Sequence, residues 1–229
     1  MSEEYLLHLD RAREFFDEGN YEAARAASQY AMRIGMPGDI SEARTLEALA
    51  LRKLEYNDEA FAMFADIVAN CPTGDACAEY ALMCAERGIC DENCRIYAEK
   101  GIAESPDNGS GYVALFWYYA GQGAYIEALS SLKRGMHRGA EFSEQRAFEL
   151  VRGWCQEACN REDYAGALAI TSEIVDHLGS FDFLVLHARL AEIANAPRVA
   201  VQYYKKALAY LRPGNMRTEI LETVARLAI

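Results

Sequence analysis

The stretch Gly19-Asn20-Tyr21-Glu22-Ala23-Ala24 decides the fold, because close variants of it recur along the chain. Each copy is a short polar turn followed by the opening of a helix, with a small residue at one fixed offset. These small residues are Ala24, Ala60, Cys94, Ala128, Ala167 and Ala200, at spacings of 36, 34, 34, 39 and 33. Such a period is typical of repeat architectures, in which similar units stack on one another.

Each unit has the pattern of two amphipathic helices separated by the turn. In the second unit, Leu46 and Leu49 recur at helical spacing before the turn, and Ala60, Phe64 and Ile67 do so after it. A proline then ends the second helix, as in the pairs Cys71-Pro72, Ser105-Pro106 and Arg212-Pro213. No alternating pattern of period two indicates a strand, so the sequence predicts an all-α protein.

This pattern resembles the tetratricopeptide repeat family. The family signature is matched in the fourth unit by Tyr112, Leu115, Phe116, Tyr119, Ala128, Leu132 and Gly135, and in the second by Ala48, Leu51, Ala60, Phe64, Ile67 and Pro72. The resemblance implies a right-handed α-solenoid of antiparallel helix pairs. The predicted repeats span residues 3–36, 40–72, 75–106, 110–139, 144–179 and 181–213, and residues 214–229 form a capping helix.

Two departures from the family pattern bear on packing. Leu82 and Phe116 occupy the position where the family has a small residue at a close helix approach, so the packing angle of the third and fourth units is left open. The fifth unit is stretched between Arg138 and Ser143, which suggests a hinge between two groups of repeats.

The charge of the chain excludes some classes of partner. The 229 residues carry a net charge of -12. Residues 1–114 hold 10 basic and 22 acidic side chains, and residues 115–229 hold 13 of each. This balance argues against binding to nucleic acid or to anionic membranes, which requires clustered Lys and Arg. The start of the chain has no secretory signal, and seven cysteines without one indicate a reducing, cytoplasmic location.

Candidate chemistry is weak throughout the sequence. Cys77, Cys84, Cys90 and Cys94 invite a zinc interpretation, but their spacings of 7, 6 and 4 lack the short pairs of structural zinc sites. Cys94 takes the small-residue position of its repeat, so burial as a small hydrophobic residue is favoured. No histidine motif, phosphate-binding loop or nucleophile motif is present. We therefore predict no catalytic residue, no metal and no cofactor.

The family resemblance further implies that the first helices of the repeats line a concave inner surface that binds a peptide or helix of another protein. On that register the candidate partner-binding residues are Arg13, Arg52, Lys53, Met83, Arg87, Trp117, Arg152, Gln156 and Arg189. In the sixth unit the same register places Asp182, Val185 and Glu192 beside Arg189. Trp117 is either an apolar anchor for the partner or a local packing residue. The arginines either orient acidic groups of the partner or form ordinary ion pairs within helices, such as Arg13 with Asp17.

The function predicted from these features is a non-catalytic adaptor or chaperone. An alternative is a scaffold that self-assembles into homo-oligomers by stacking of its terminal repeats. A third and less favoured hypothesis is a metal-binding or enzymatic protein that uses the cysteine cluster.

Overall fold

The structure, a computed structural model, describes residues 2–36, 40–211 and 214–228. Within these ranges every regular element is a helix, and no residue lies in a strand. The helices are α1 (Glu3–Asp17), α2 (Tyr21–Ile34), α3 (Ser41–Lys53), α4 (Asn57–Asn70), α5 (Gly74–Glu86), α6 (Glu92–Glu104), α7 (Ser110–Gly121), α8 (Tyr125–Met136), α9 (Glu144–Asn160), α10 (Tyr164–Ser172), α11 (Val175–Leu178), α12 (Phe181–Ile193), α13 (Pro197–Leu208) and α14 (Asn215–Leu227). The helix break predicted at Arg212-Pro213 lies outside the described residues. None of the described helices is both long enough and apolar enough to cross a bilayer.

The polar turn that recurs in the sequence is a Schellman motif. In the first copy Asn20 N donates to Phe15 O at 2.8 Å and Gly19 N donates to Phe16 O at 3.0 Å, with Gly19 in the left-handed region. The left-handed position is glycine again at Gly88 and Gly123, but it is Glu55, Glu162 and Asn195 in the other copies. A non-glycine residue there costs about 1 kcal/mol. The motif satisfies the last carbonyls of one helix and reverses the chain into the next.

The chain divides into two compact units. Unit 1 consists of the residues up to 124 together with 134–141, and unit 2 consists of residues 125–133 together with those from 142 onwards. The boundary between Glu141 and Phe142 lies within the stretch where the sequence suggests a hinge. The hinge and the bounds of the six individual repeats stay predictions.

Helices α5, α6 and α7 of unit 1 approach one another closely at small residues. A Cβ atom built on Gly101 of α6 would lie 2.7 Å from Ala78 N and 2.8 Å from Ala78 Cα of α5. One built on Gly111 of α7 would lie 3.0 Å from Ala98 O of α6. The backbones therefore approach closely at these positions, while Leu82 and Phe116 are fully buried beside them.

Unit 2 departs from regular helix pairing at one place. The segment after the fifth turn forms two helices, α10 and the short α11, with a break at Glu173 and Ile174. The core of this unit joins α12, α13 and α14 through buried Leu184, Tyr204 and Ile220. Helix α14 thus packs against α12 and α13, although Ile220 is its one buried residue within the described part of the chain, and its role as a capping helix stays a prediction.

His187 lies in the core of unit 2 and is 2% exposed. Its Nδ1 is 2.7 Å from Thr171 Oγ1 of α10, and its ring meets the Tyr203 ring edge to face at 4.3 Å between centroids. Burial lowers the pKa of His187 below its usual 6.5, and of the charged groups that face it, Asp176 opposes this shift whereas Lys206 adds to it. The native state therefore holds this imidazole neutral.

We expect unit 2 to lose stability as the pH falls from 7 to below 6.5. The unfolded state binds a proton on His187 near pH 6.5, while the native state binds it only at lower pH, so stability rises with pH across this window. Thermal unfolding followed by circular dichroism at several pH values measures the effect. The His187→Gln variant should lose the dependence in this window, and an unchanged dependence would contradict the assignment. Loss of stability below about pH 4.5 should remain in both proteins, because the paired carboxylates Asp66 and Glu92 have lowered pKa values.

Candidate functional site

Two adjoining cavities of about 220 and 330 Å³ run along the first helices of unit 1 and share Leu49 of α3. We call them together the unit 1 groove. Its lining residues are Arg13, Glu42, Thr45, Leu46, Leu49, Arg52, Lys53, Thr73, Gly74, Asp75, Glu79, Leu82, Glu104, Ser105, 107–110 and 138–141. The groove thus brings together three of the candidate residues, namely Arg13, Arg52 and Lys53.

The cations of the unit 1 groove are neutralised within the chain. Arg13 donates to Asp10 at 2.9 Å and to Glu42 at 2.8 Å, rather than to the expected Asp17. Lys53 Nζ lies 2.6 Å from Glu141 Oε1. A charged partner would have to compete with these ion pairs, so the groove offers it little free charge.

The ion pair between Arg52 and Glu79 is the most buried of this set. The Glu79 side chain retains 10% of its exposed area and that of Arg52 retains 17%. Ser110 Oγ donates to the other oxygen of the Glu79 carboxylate at 2.5 Å, and Arg52 also reaches Glu86 at 2.9 Å. This network joins α3, α5 and α7, so Arg52 holds unit 1 together as well as lining its groove.

Unit 2 contains a larger cavity of about 480 Å³ between one face of α12 and one face of α14. We call it the unit 2 groove. Its lining residues are Phe181, Asp182, Val185, Arg189, Glu192, Tyr204, Met216, Glu219, Ile220 and Thr223. Asp182, Val185, Arg189 and Glu192 are the four residues that the repeat register places together on the inner surface of the sixth unit.

The charges of the unit 2 groove are mostly unpaired. Glu192 forms an ion pair with Arg226 and accepts a hydrogen bond from the Tyr204 hydroxyl at 3.2 Å. Among the described residues, Asp182 and Glu219 have no basic group at ion-pair distance, and Arg189 has no carboxylate. Burial raises the pKa of Tyr204 to about 12, so this hydroxyl stays protonated. The groove therefore combines an apolar floor with charges that are open to a ligand.

Three further candidates lie outside all of these cavities. Arg87 donates to Asp58 at 2.7 Å and lies 4.2 Å above the Phe61 ring of α4. Arg152 pairs with Glu149 on its own helix, and Gln156 donates to Asn160 at 2.9 Å. These side chains are exposed and line neither the unit 1 groove nor the unit 2 groove.

Met83 and Trp117 are buried, so Met83 does not face an open groove, and for Trp117 the burial favours local packing over the role of a partner anchor. Met83 is 2% exposed within the core of unit 1, and Trp117 is 7% exposed with its ring 4.6 Å from that of Phe116. Helix α7 is apolar on every face and buried from Ser110 to Trp117. A helix of this kind has no solvent face, so a register alone does not indicate which of its residues are accessible.

Burial keeps the thiols of the buried cysteines protonated at neutral pH. Burial raises the pKa values of Cys94 and Cys155 to about 12 and also raises those of Cys77 and Cys84. Since the thiolate is the nucleophile and the metal ligand, these thiols behave as small core residues. Across residues 2–36, 40–211 and 214–228, no group of three or more His, Cys, Asp or Glu side chains is placed to hold a metal ion.

The sequence reasoning missed the second wall of the unit 2 groove. Met216, Glu219 and Thr223 lie on α14. The prediction of a capping helix concerned only the face of α14 that packs against the last repeat. Their spacing of three and four residues puts them on one side of the helix. That spacing is the sequence signal from which a second face of α14 could have been predicted.

Comparison with known proteins indicates the fold. No protein-family model matches the chain, and no curated protein matches it in sequence. Among solved structures, the type IV pilus biogenesis factor PilW is 17% identical, with a TM-score of 0.61 over 96% of this chain and 100% of that one. PilF of Pseudomonas aeruginosa is 14% identical, with a TM-score of 0.61 over 96% and 97%.

A third similar structure is that of a protein described as containing TPR repeats. The C-terminal part of a TPR repeat-containing protein from Cytophaga hutchinsonii is 13% identical, with a TM-score of 0.54 over 88% of this chain and 78% of that one. At such identities the likeness concerns the fold. The recurring helix pairs, the Schellman turns and these likenesses together show that the chain folds as a tetratricopeptide repeat protein.

Proposed function

We propose that this protein is a non-catalytic interaction module, an adaptor or chaperone, that holds a segment of a partner protein against its first helices. The observation that carries the proposal is the unit 2 groove. It is a cavity of about 480 Å³ with an apolar floor and with three charged side chains, Asp182, Arg189 and Glu219, that have no ion-pair partner among the described residues. Clefts of this size with a few open polar groups are the usual form of a recognition site.

The fold and the chemistry of the remaining surface support the same proposal. Repeat proteins present extended surfaces on a rigid stack, and proteins of this fold are generally interaction modules. A rigid surface lowers the ordering cost on one side of an interface, so an otherwise disordered partner segment can bind usefully. The protonated, buried thiols fit a reducing compartment, and we propose the cytoplasm as the site of action.

We expect Met216→Asp to reduce recovery of the partner from a lysate of the source organism about tenfold or more, because it places a charge on the apolar floor of the unit 2 groove. Affinity capture with the immobilised protein, quantified by mass spectrometry, measures the loss. Met216 is 53% exposed, so the substitution leaves the core intact.

Leu221→Asp is the matched control for this experiment. Leu221 lies on the same helix, is 47% exposed and does not line the groove. Recovery should be unchanged with this variant. If both variants capture the same proteins as the parent, the unit 2 groove is not the binding surface and the proposed function loses its main support.

A further inference from the structure

The rim of the unit 2 groove carries more negative than positive charge. Three carboxylates, on Asp182, Glu192 and Glu219, line it against the single guanidinium of Arg189. Glu192 is already neutralised by Arg226, so Asp182, Glu219 and Arg189 are the charges that remain for a ligand, with an excess of one negative charge. They lie on opposite walls, since Asp182 belongs to α12 and Glu219 to α14. Each wall of the groove therefore offers one carboxylate to a cationic group, and the α12 wall also carries Arg189.

The floor between these two carboxylates is apolar and accessible. Val185 and Ile220 pack against the core of unit 2, and Met216 remains 53% exposed above them. An exposed methionine adapts its shape to different apolar side chains. An occupant therefore gains by burying an apolar side chain here, while its polar flanks meet carboxylates.

We propose that the occupant of the unit 2 groove is a basic, amphipathic segment of another protein. Its Lys or Arg side chains contact Asp182 and Glu219, and its apolar side chains cover Met216 and Val185. This inference rests on the proposed function and adds the chemistry of the partner to it. The argument is charge complementarity. A segment with carboxylates in place of its basic groups would meet two unpaired negative charges, which outnumber the single unpaired guanidinium of Arg189.

A pair of synthetic peptides tests this proposal. The first is a fluorescein-labelled amphipathic peptide of about four helical turns with Leu on one face and Lys on the other. The second has Glu in place of every Lys. We expect the Lys peptide to bind about tenfold or more tightly than the Glu peptide, as measured by fluorescence anisotropy, and its affinity to fall with added salt.

The protein variants locate the preference. Asp182→Lys combined with Glu219→Lys should reverse it, so that the Glu peptide becomes the tighter ligand. The control is Glu162→Lys combined with Glu222→Lys, which changes the net charge by the same amount at two exposed positions of unit 2 outside the groove. This control should bind the Lys peptide as the parent does. If the control weakens binding as much as the groove variant, the attraction is a general effect of net charge and the proposal is wrong.

Three further outcomes would overturn the proposal. Tighter binding of the Glu peptide by the parent protein would assign the groove to an acidic segment, and equal binding would remove charge as the basis of selection. Concentration-dependent dimerisation that Met216→Asp abolishes would assign the groove to a second copy of the chain. If Met216→Asp loses its lysate partner while the peptides show no preference, the proposed function stands and only the chemistry of the partner is wrong.

Discussion

Replacing Gly101 with Ala is expected to lower the free energy of unfolding of unit 1 by about 2 kcal/mol. In an ordinary helix this change stabilises by about 0.5–1 kcal/mol, because Ala has the higher helix propensity. Here the new methyl group would lie 2.7 Å from Ala78 N and 2.8 Å from Ala78 Cα. Backbone atoms do not swing aside as a flexible side chain does, so α5 and α6 must separate. Overpacking of this kind costs about 1–3 kcal/mol or more, which outweighs the gain in propensity.

Urea unfolding followed by circular dichroism measures this effect, and Gly153→Ala is its control. Gly153 lies inside α9, where a Cβ atom would meet nothing within 4 Å. That variant should be more stable than the parent by about 0.5–1 kcal/mol. Equal stabilisation by both substitutions would show that the close approach of α5 and α6 is not as tight as the structure has it.

The second large effect is expected from Arg52→Ala, which should destabilise unit 1 by about 2–3 kcal/mol. Removing this guanidinium leaves the Glu79 carboxylate nearly buried, with Ser110 Oγ as its remaining hydrogen-bond donor. Breaking a fully buried pair costs about 3–5 kcal/mol, and we take a lower figure because Arg52 is partly exposed. The same urea experiment measures the loss.

The comparison for Arg52→Ala is Arg152→Ala, whose ion pair with Glu149 is exposed on a single helix. Its stability should change by less than about 0.5 kcal/mol. Adding Glu79→Gln to Arg52→Ala should recover part of the lost stability, because a neutral amide costs less to bury than an unpaired charge. If the two arginine variants behave alike, the network between α3, α5 and α7 contributes no more than a surface pair.

The fold was predictable because its information is local and repeated. The turn of Gly19 and Asn20 and its copies hold every residue that a Schellman motif requires within six positions, so the sequence contains the whole motif. The exception is unit 2, where the segment after the fifth turn breaks into α10 and α11. No proline or glycine marks the break at Glu173 and Ile174, so no local pattern predicts it.

The candidate site was less predictable because it depends on residues that are distant in sequence. Lys53 meets Glu141 across 88 positions, and no pattern within either segment specifies that contact. The register still grouped Asp182, Val185, Arg189 and Glu192, since these share one face of one helix. Trp117 shows the limit of this reasoning, because a helix that is apolar all round offers no contrast by which to tell an inner from an outer face.

The division of α8 between the two units determines what a proteolytic cut near this helix would separate. Residues 125–133 belong to unit 2 and residues 134–136 to unit 1, so the chain passes between the units three times. A single cut after residue 124 would separate Gly135 and Arg138 from the helices they contact. Gly135 packs closely against Val113, and the Arg138 guanidinium lies 4.5 Å from the centroid of the Tyr112 ring. Cleavage at this position would therefore remove from unit 1 residues that pack within it, and neither product would hold a complete unit 1.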